Sequence, residues 1–89
     1  MYKLRNYSEE IVDNLLDKIL PQYDNICKCE KCRLDIKAYA LNSIKPKYVV
    51  SDQGEIYTRA LNEINKQEII NITESIMRGI EIVTNNPKH

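Results

Sequence analysis

Three apolar doublets, Ile11-Val12, Leu15-Leu16 and Ile19-Leu20, return every four residues near the start of the chain. This period constrains the fold more than any other feature. A helix stacks residues four apart on one face, which the doublets then make continuously apolar. Asp13, Asn14, Asp17 and Lys18 fill the intervening positions and face water. Asn6 suits an N-cap, and Glu9 three residues later makes with it a capping-box-like pair. Pro21 stops the helix.

After a short connector, Pro21 to Ile26, and a run of cysteines, a second helix is predicted over Arg33 to Ile44. Leu34, Ala38 and Leu41 form one stripe, with Ile36, Ala40 and Ile44 beside it. That helix is apolar over more than half its circumference and is expected to be well buried. Lys45-Pro46 ends it, because proline disfavours the helical conformation in the residue before it. Lys47 to Ser51 contains Tyr48, Val49 and Val50 and reads as a brief extended segment, followed by a turn at Asp52-Gln53-Gly54. Between Glu55 and Thr84, Ile56, Ala60 and Ile64 repeat at four, and Ile69, Ile72, Ile76, Ile80 and Val83 at three and four. The apolar phase shifts across Asn65-Lys66-Gln67-Glu68, so this stretch is one long helix with a kink or break, or two helices. Asn85-Asn86-Pro87 ends it.

Two glycines and three prolines in 89 residues leave few places for turns, which argues against a many-stranded β fold. The expectation is an all-α single domain over residues 1–89, with three to four helices and the short extended segment near Lys47-Ser51. A chain of this length buries only about 60–65% of its extended surface, so its core is thin and a staple is expected. Thirteen basic and thirteen acidic side chains cancel, so no bulk positive field points to DNA. No segment approaches the roughly 20 apolar residues that span a bilayer. The stretch from Met1 to Glu10 has no apolar run of the signal-peptide kind. The expected location is the cytoplasm, where clustered cysteines more often hold metal or do redox chemistry than form structural bridges.

Such a cluster is present: Cys27-Lys28-Cys29-Glu30-Lys31-Cys32, a C-x-C-x-x-C run. Zinc takes soft, deprotonated ligands in a tetrahedron. The C-x-x-C half lets a tight turn aim two thiolates at one point, and in an extended C-x-C the two thiols share a face. Three sulfurs make a partial site that a fourth ligand would close. Lys28, Lys31 and Arg33 would offset part of the thiolate charge. His89, the lone histidine, has the right donor type for the fourth position, or is simply a terminal residue. Asp35, Glu30, water or a ligand from a partner chain are the other options. Two rival readings of the cluster stay open. One is a redox C-x-x-C at a helix start, although the β pattern that usually surrounds it is absent. The other is buried cysteines packing as small hydrophobes, which the intervening lysines disfavour.

All six aromatic rings are tyrosines. A surface tyrosine near positive charge can stack on a nucleobase while a cation takes the phosphate. Lys45, Lys47, Tyr48, Tyr57 and Arg59 form such a local group around Asp52, against the plainer alternative of solvated charges around a loop. No phosphate-binding glycine loop and no nucleophile–His–acid set can be assembled, so an enzyme is not expected.

The order of features resembles the late competence development protein ComFB family. The resemblance lies in the Asn-capped first helix with Glu10 and Val12, then Cys27-x-Cys29-x-x-Cys32. It continues through Asp35-Ile36-x-Ala38-x-Ala40-Leu41-Asn42, Pro46-x-Tyr48-Val49-Val50, Gly54-x-x-Tyr57 and Asn86-Pro87-Lys88-His89. It covers nearly the whole chain, and the block from Cys27 to Tyr48 is its specific part. The family implies a small helical homodimer with zinc on the clustered cysteines, a non-enzymatic regulatory role and binding of a cyclic dinucleotide such as c-di-GMP. Other branches of the family lack the cysteines, so the metal is expected to be structural. On chemical grounds Lys45, Lys47 and Arg59 are the expected phosphate ligands, Tyr48 and Tyr57 the stacking residues and Asp52 an acceptor from a guanine edge. Asn42 opens the matching stretch and joins this set. The chain departs from some relatives in offering only three cysteines, which leaves the fourth ligand open. The alternatives are a protein-interaction adaptor with a purely structural zinc, in signalling or competence, and a thiol redox sensor.

Overall fold

The computed structural model describes residues 2–52 and 65–86. Tyr2–Asn6 forms a strand, β1, which runs directly into helix α1, Tyr7–Ile19. A 3-10 turn over Leu20–Gln22 follows, with Pro21 in its first turn. Helix α2 spans Glu30–Asn42, strand β2 Tyr48–Asp52 and helix α3 Lys66–Asn85. The described residues thus hold three α-helices and a small sheet.

The extended segment expected near Lys47-Ser51 has a partner that the sequence reading did not anticipate. β1 pairs antiparallel with β2, Leu4 opposite Val50 and Asn6 opposite Tyr48. Asn6 joins strand to helix. Its Oδ1 accepts from the Ser8 amide at 3.0 Å, as an N-cap does, and also from the Lys47 amide at 2.9 Å. The Tyr7 amide donates to the Lys47 carbonyl at 2.7 Å and the Ser8 hydroxyl to the Lys45 carbonyl at 2.7 Å. The first amide of α1 is therefore satisfied by a loop forty residues away in sequence, and the Ser8 amide by Asn6. Glu9 does not close a capping box. Its carboxylate meets Lys37 of α2 at 3.2 Å instead.

The doublets of α1 behave as their period requires. Tyr7, Ile11, Val12 and Leu16 are buried, and Leu15 and Ile19 are half-buried against the same core. In α2 only one of the two predicted stripes is buried. Ile36 and Ala40, with Cys32, line the inner side, while Leu34 is 51% exposed and Ala38 is exposed; Leu41 and Ile44, the last members of the two stripes, are both half-buried against the core. Residues two apart on a helix stand roughly 200° apart around the axis, so packing one stripe turns the other outward. The helix also begins three residues earlier than predicted, because Cys29 serves as its N-cap. Its flank is tied to α1 by Lys37 with Glu9 and Asp13, and by Arg33 with Asp17.

α3 buries Ile72, Ile76 and Ile80, with Ile69 and Val83 half-buried. Asn65 caps it: its backbone is extended at φ −88°, ψ 168°, and its side chain accepts from the Glu68 amide at 2.8 Å. Helix therefore does not pass through Asn65, and α3 starts inside the stretch where the apolar phase shifts. Residues 53–64, including the predicted repeat Ile56-Ala60-Ile64, lie outside the described residues. α3 packs chiefly against α2, and Gly79 sits at their closest approach. A Cβ there would stand 3.1 Å from Tyr39 Cδ1 and 3.3 Å from the Ile36 carbonyl oxygen. Among the described residues no helix is long and apolar enough to cross a membrane.

Candidate functional site

The cysteine run is shaped by the start of α2. Cys29 occupies the N-cap with extended backbone, and its Sγ accepts from the Cys32 amide at 3.5 Å. Its carbonyl accepts from the Arg33 amide at 2.9 Å. Winding the first turn around Cys29 brings Cys32 up beneath it, and Cys27 folds in from the connector. All three Sγ atoms lie within 4.8 Å of one another. Cys27 and Cys29 are exposed, whereas Cys32 is 1% exposed.

These environments pull the thiols apart electrostatically. The Cys32 amide, assisted by the Cys27 side chain, lowers the pKa of Cys29 below the ordinary thiol value. Burial, reinforced by the neighbouring Cys27 and Cys29, pushes that of Cys32 up to about 12. A cation at the centre of the three sulfurs would favour the thiolate form of each and offset the cost that burial places on Cys32. The geometry fits one. Zn–S bonds of about 2.3 Å in a tetrahedron set sulfur separations of roughly 3.8 Å, inside the observed spread. The cluster can coordinate a metal ion through three thiolates and needs one further donor.

The surrounding charges are less available than the sequence reading supposed. Lys31 is held by Asp35 at 2.7 Å and Arg33 by Asp17 at 2.8 Å, while Lys28 has no ion pair among the described residues. Asp35, one of the alternative fourth ligands, is committed to Lys31. Glu30 is exposed in the first turn of α2. His89 lies outside the described residues.

At the other end of α2 a cleft of about 290 Å³ opens between the start of α1, the 43–47 loop and the first turns of α3. Lys45 and Lys47 line it together with Ser8, Ser43, Glu68 and Asn71, over an apolar floor that includes Ile11 and Ile72. Two of the predicted phosphate ligands are thus brought to one place. Lys47 Nζ is ion-paired with Glu68 Oε2. Tyr48 is 64% exposed on β2, and Asn42, the last residue of α2, is exposed outside the cleft lining. Asp52 is paired with Tyr2 through its strand register, and its side chain, Tyr57 and Arg59 lie outside the described residues. Sequence reasoning missed Ser8, Glu68 and Asn71. Nothing local to those positions signals them; they arrive through the Asn6–Lys47 tie and the cap of α3.

A wider groove, of about 570 Å³, separates Tyr23 and Ile26 from α3. Its charges are Arg78 against Glu74 and Glu81, a field that disfavours a phosphate. Of the two, the smaller cleft is the better anion site. A third surface is the outer face of the sheet, where Tyr2, Leu4, Tyr48 and Val50 are 75%, 69%, 64% and 62% exposed.

Comparison with known proteins agrees with this architecture. Residues 5–87 match the family model of the late competence development protein ComFB. The competence protein ComFB of Bacillus subtilis (strain 168) is 29% identical over 84 residues, covering 94% of this chain and 85% of the relative. A solved structure of the late competence protein ComFB from Bacillus subtilis superposes with a TM-score of 0.80 at 27% identity. The match covers 97% of this chain and 93% of the other.

Proposed function

The chain belongs to the late competence development protein ComFB family of non-enzymatic regulators, and from that premise we propose that it binds a cyclic dinucleotide as a zinc-stabilised homodimer. The observation that carries the reading is the cleft holding Lys45 and Lys47, with exposed Tyr48 on the adjoining strand. Cations for phosphate and a ring for a base stand within a few residues, on the loop that leads from α2 into β2. A twofold-symmetric ligand suits a twofold protein, since each protomer offers the same half-site. In this account the domain is the whole of 1–89 and works in the cytoplasm. Arg59, Tyr57 and Asp52 complete the ligand set, with Asn42 at its edge.

Zinc on Cys27, Cys29 and Cys32, with His89 as fourth donor, staples the connector to α2 at the opposite end of that helix. It supplies folding free energy and no chemistry at the ligand site. The test is a panel of cyclic dinucleotides, c-di-GMP first, screened by thermal shift on purified protein whose zinc has been quantified. About one zinc per chain and a raised melting temperature with one nucleotide are expected. Metal-free protein, or no nucleotide response at tens of micromolar, would overturn the corresponding half of the proposal.

The apolar outer face of the sheet favours a second reading, an adaptor that docks a protein partner with the zinc purely structural. Partners captured independently of nucleotide, from protein that binds none, would favour it.

A further inference from the structure

The cleft at the end of α2 carries an anion of its own. Lys47 Nζ is ion-paired with Glu68 Oε2, and both side chains line the same cavity as Lys45. Building on the reading of this cleft as a phosphate site, we propose that Glu68 is a displaceable internal stand-in for phosphate. Its carboxylate pairs with Lys47; an incoming phosphate takes that place and sends the carboxylate back to the Asn65 amide at the start of α3.

Both partners are rooted in fixed backbone. The Lys47 amide donates to Asn6 Oδ1 at 2.9 Å, and its carbonyl accepts from the Tyr7 amide at 2.7 Å. The Glu68 amide donates to Asn65 Oδ1 at 2.8 Å. An exchange of partners therefore needs side-chain rotation and no movement of the chain. The two side chains are 39% and 36% exposed, and an ion pair this open to water contributes little net stability. A phosphate that engages Lys45 as well as Lys47 gains a second cation and outcompetes the carboxylate. Among the described lining residues Lys45 and Lys47 are the cations and Glu68 the anion, so removing its charge doubles the net positive charge there.

The displaced carboxylate has somewhere to go. Asn65-Lys66-Gln67-Glu68 has the spacing of a capping box, with Asn65 at the N-cap and Glu68 three residues on. Half of the box is made, from the Glu68 amide to the Asn65 side chain. The reciprocal half, in which the Glu68 carboxylate accepts from the Asn65 amide, is not made, because that carboxylate is on Lys47. Once released, it finds this donor within its own turn. It also stays at the positive end of a 20-residue helix, where negative charge is favoured. Anion binding in the cleft is thereby coupled to a tighter start of α3.

The test follows the Asn65 amide by NMR, as its exchange with water, in isotope-labelled full-length protein. Inorganic phosphate and c-di-GMP should each slow that exchange in the wild type by about threefold or more, and Lys47→Met should slow it with no ligand added. Glu68→Gln removes the charge yet keeps a side chain able to close a capping box, and the bond from the residue 68 amide to Asn65 is untouched. It should bind phosphate about fivefold more tightly than the wild type, a gain that falls to under about half in the Lys47→Met background. Asn65 exchange that is unchanged in Lys47→Met, or a Glu68→Gln variant that binds phosphate no more tightly, would overturn the proposal. If c-di-GMP binds neither form while phosphate displaces Glu68, the nucleotide reading fails and the displacement stands. If c-di-GMP binds both forms equally, the displacement fails and the nucleotide reading stands.

Discussion

Lys37 shows how a single side chain is settled by competing terms. Partial burial disfavours its charge, but hydrogen bonds from its ammonium to Asp13 and Glu9, at 3.1 and 3.2 Å, outweigh that cost and raise its pKa above the ordinary 10.5. A raised lysine pKa contributes stability that is complete below the unfolded value and is lost as pH rises through the folded value. Urea midpoints of the wild type and Lys37→Met should therefore differ by a constant amount between about pH 6 and 9, and converge above about pH 10.5. The plateau should be near 0.5–1 kcal/mol, since the partners are largely exposed. A gap that opens with rising pH would contradict this. Asn6 illustrates the limits of reading residues alone. Its capping role was legible from its type and place, but its second bond, to the Lys47 amide, was not, because nothing in either segment specifies a partner about forty residues away.

At the level of elements, periodicity was informative where one face is apolar and silent where two are. The doublets of α1 and the isoleucines of α3 admit one buried face each, and those faces are buried. α2 offers two stripes, and only the positions of α1 and α3 choose Cys32-Ile36-Ala40 over Leu34-Ala38. β1 was missed because its alternation, Tyr2 and Leu4 against Lys3 and Arg5, runs over only four residues, and a strand this short is stable only once β2 is beside it. The α2–α3 contact rests on Gly79, where any side chain meets Tyr39 and the Ile36 carbonyl. Gly79→Val should lower stability by about 1–3 kcal/mol, despite removing a glycine from a helix interior. Chemical denaturation measures it; an unchanged or raised midpoint would show that the two helices can separate at no cost.

For the molecule as a whole, α2 connects two distinct chemistries, a cluster of three thiols at its N-terminus and a cation-bearing cleft beyond its C-terminus. The cysteine half was legible from spacing, since six residues contain all three donors. The cleft was half legible: Lys45 and Lys47 stood out by type, while Glu68, which holds Lys47, comes from a helix that the sequence could not dock. Lys47 is already paired with Glu68, whereas Lys45 has no ion pair among the described residues, so Lys45 is the cation that an incoming phosphate should engage first. The most direct measurement is a calorimetric titration of c-di-GMP onto wild type and Lys45→Ala at low salt. The account predicts one nucleotide per two chains and a Kd weakened about tenfold or more by the substitution, or about 1.4 kcal/mol. An absence of heat at tens of micromolar, or an affinity untouched by the loss of Lys45, would contradict it.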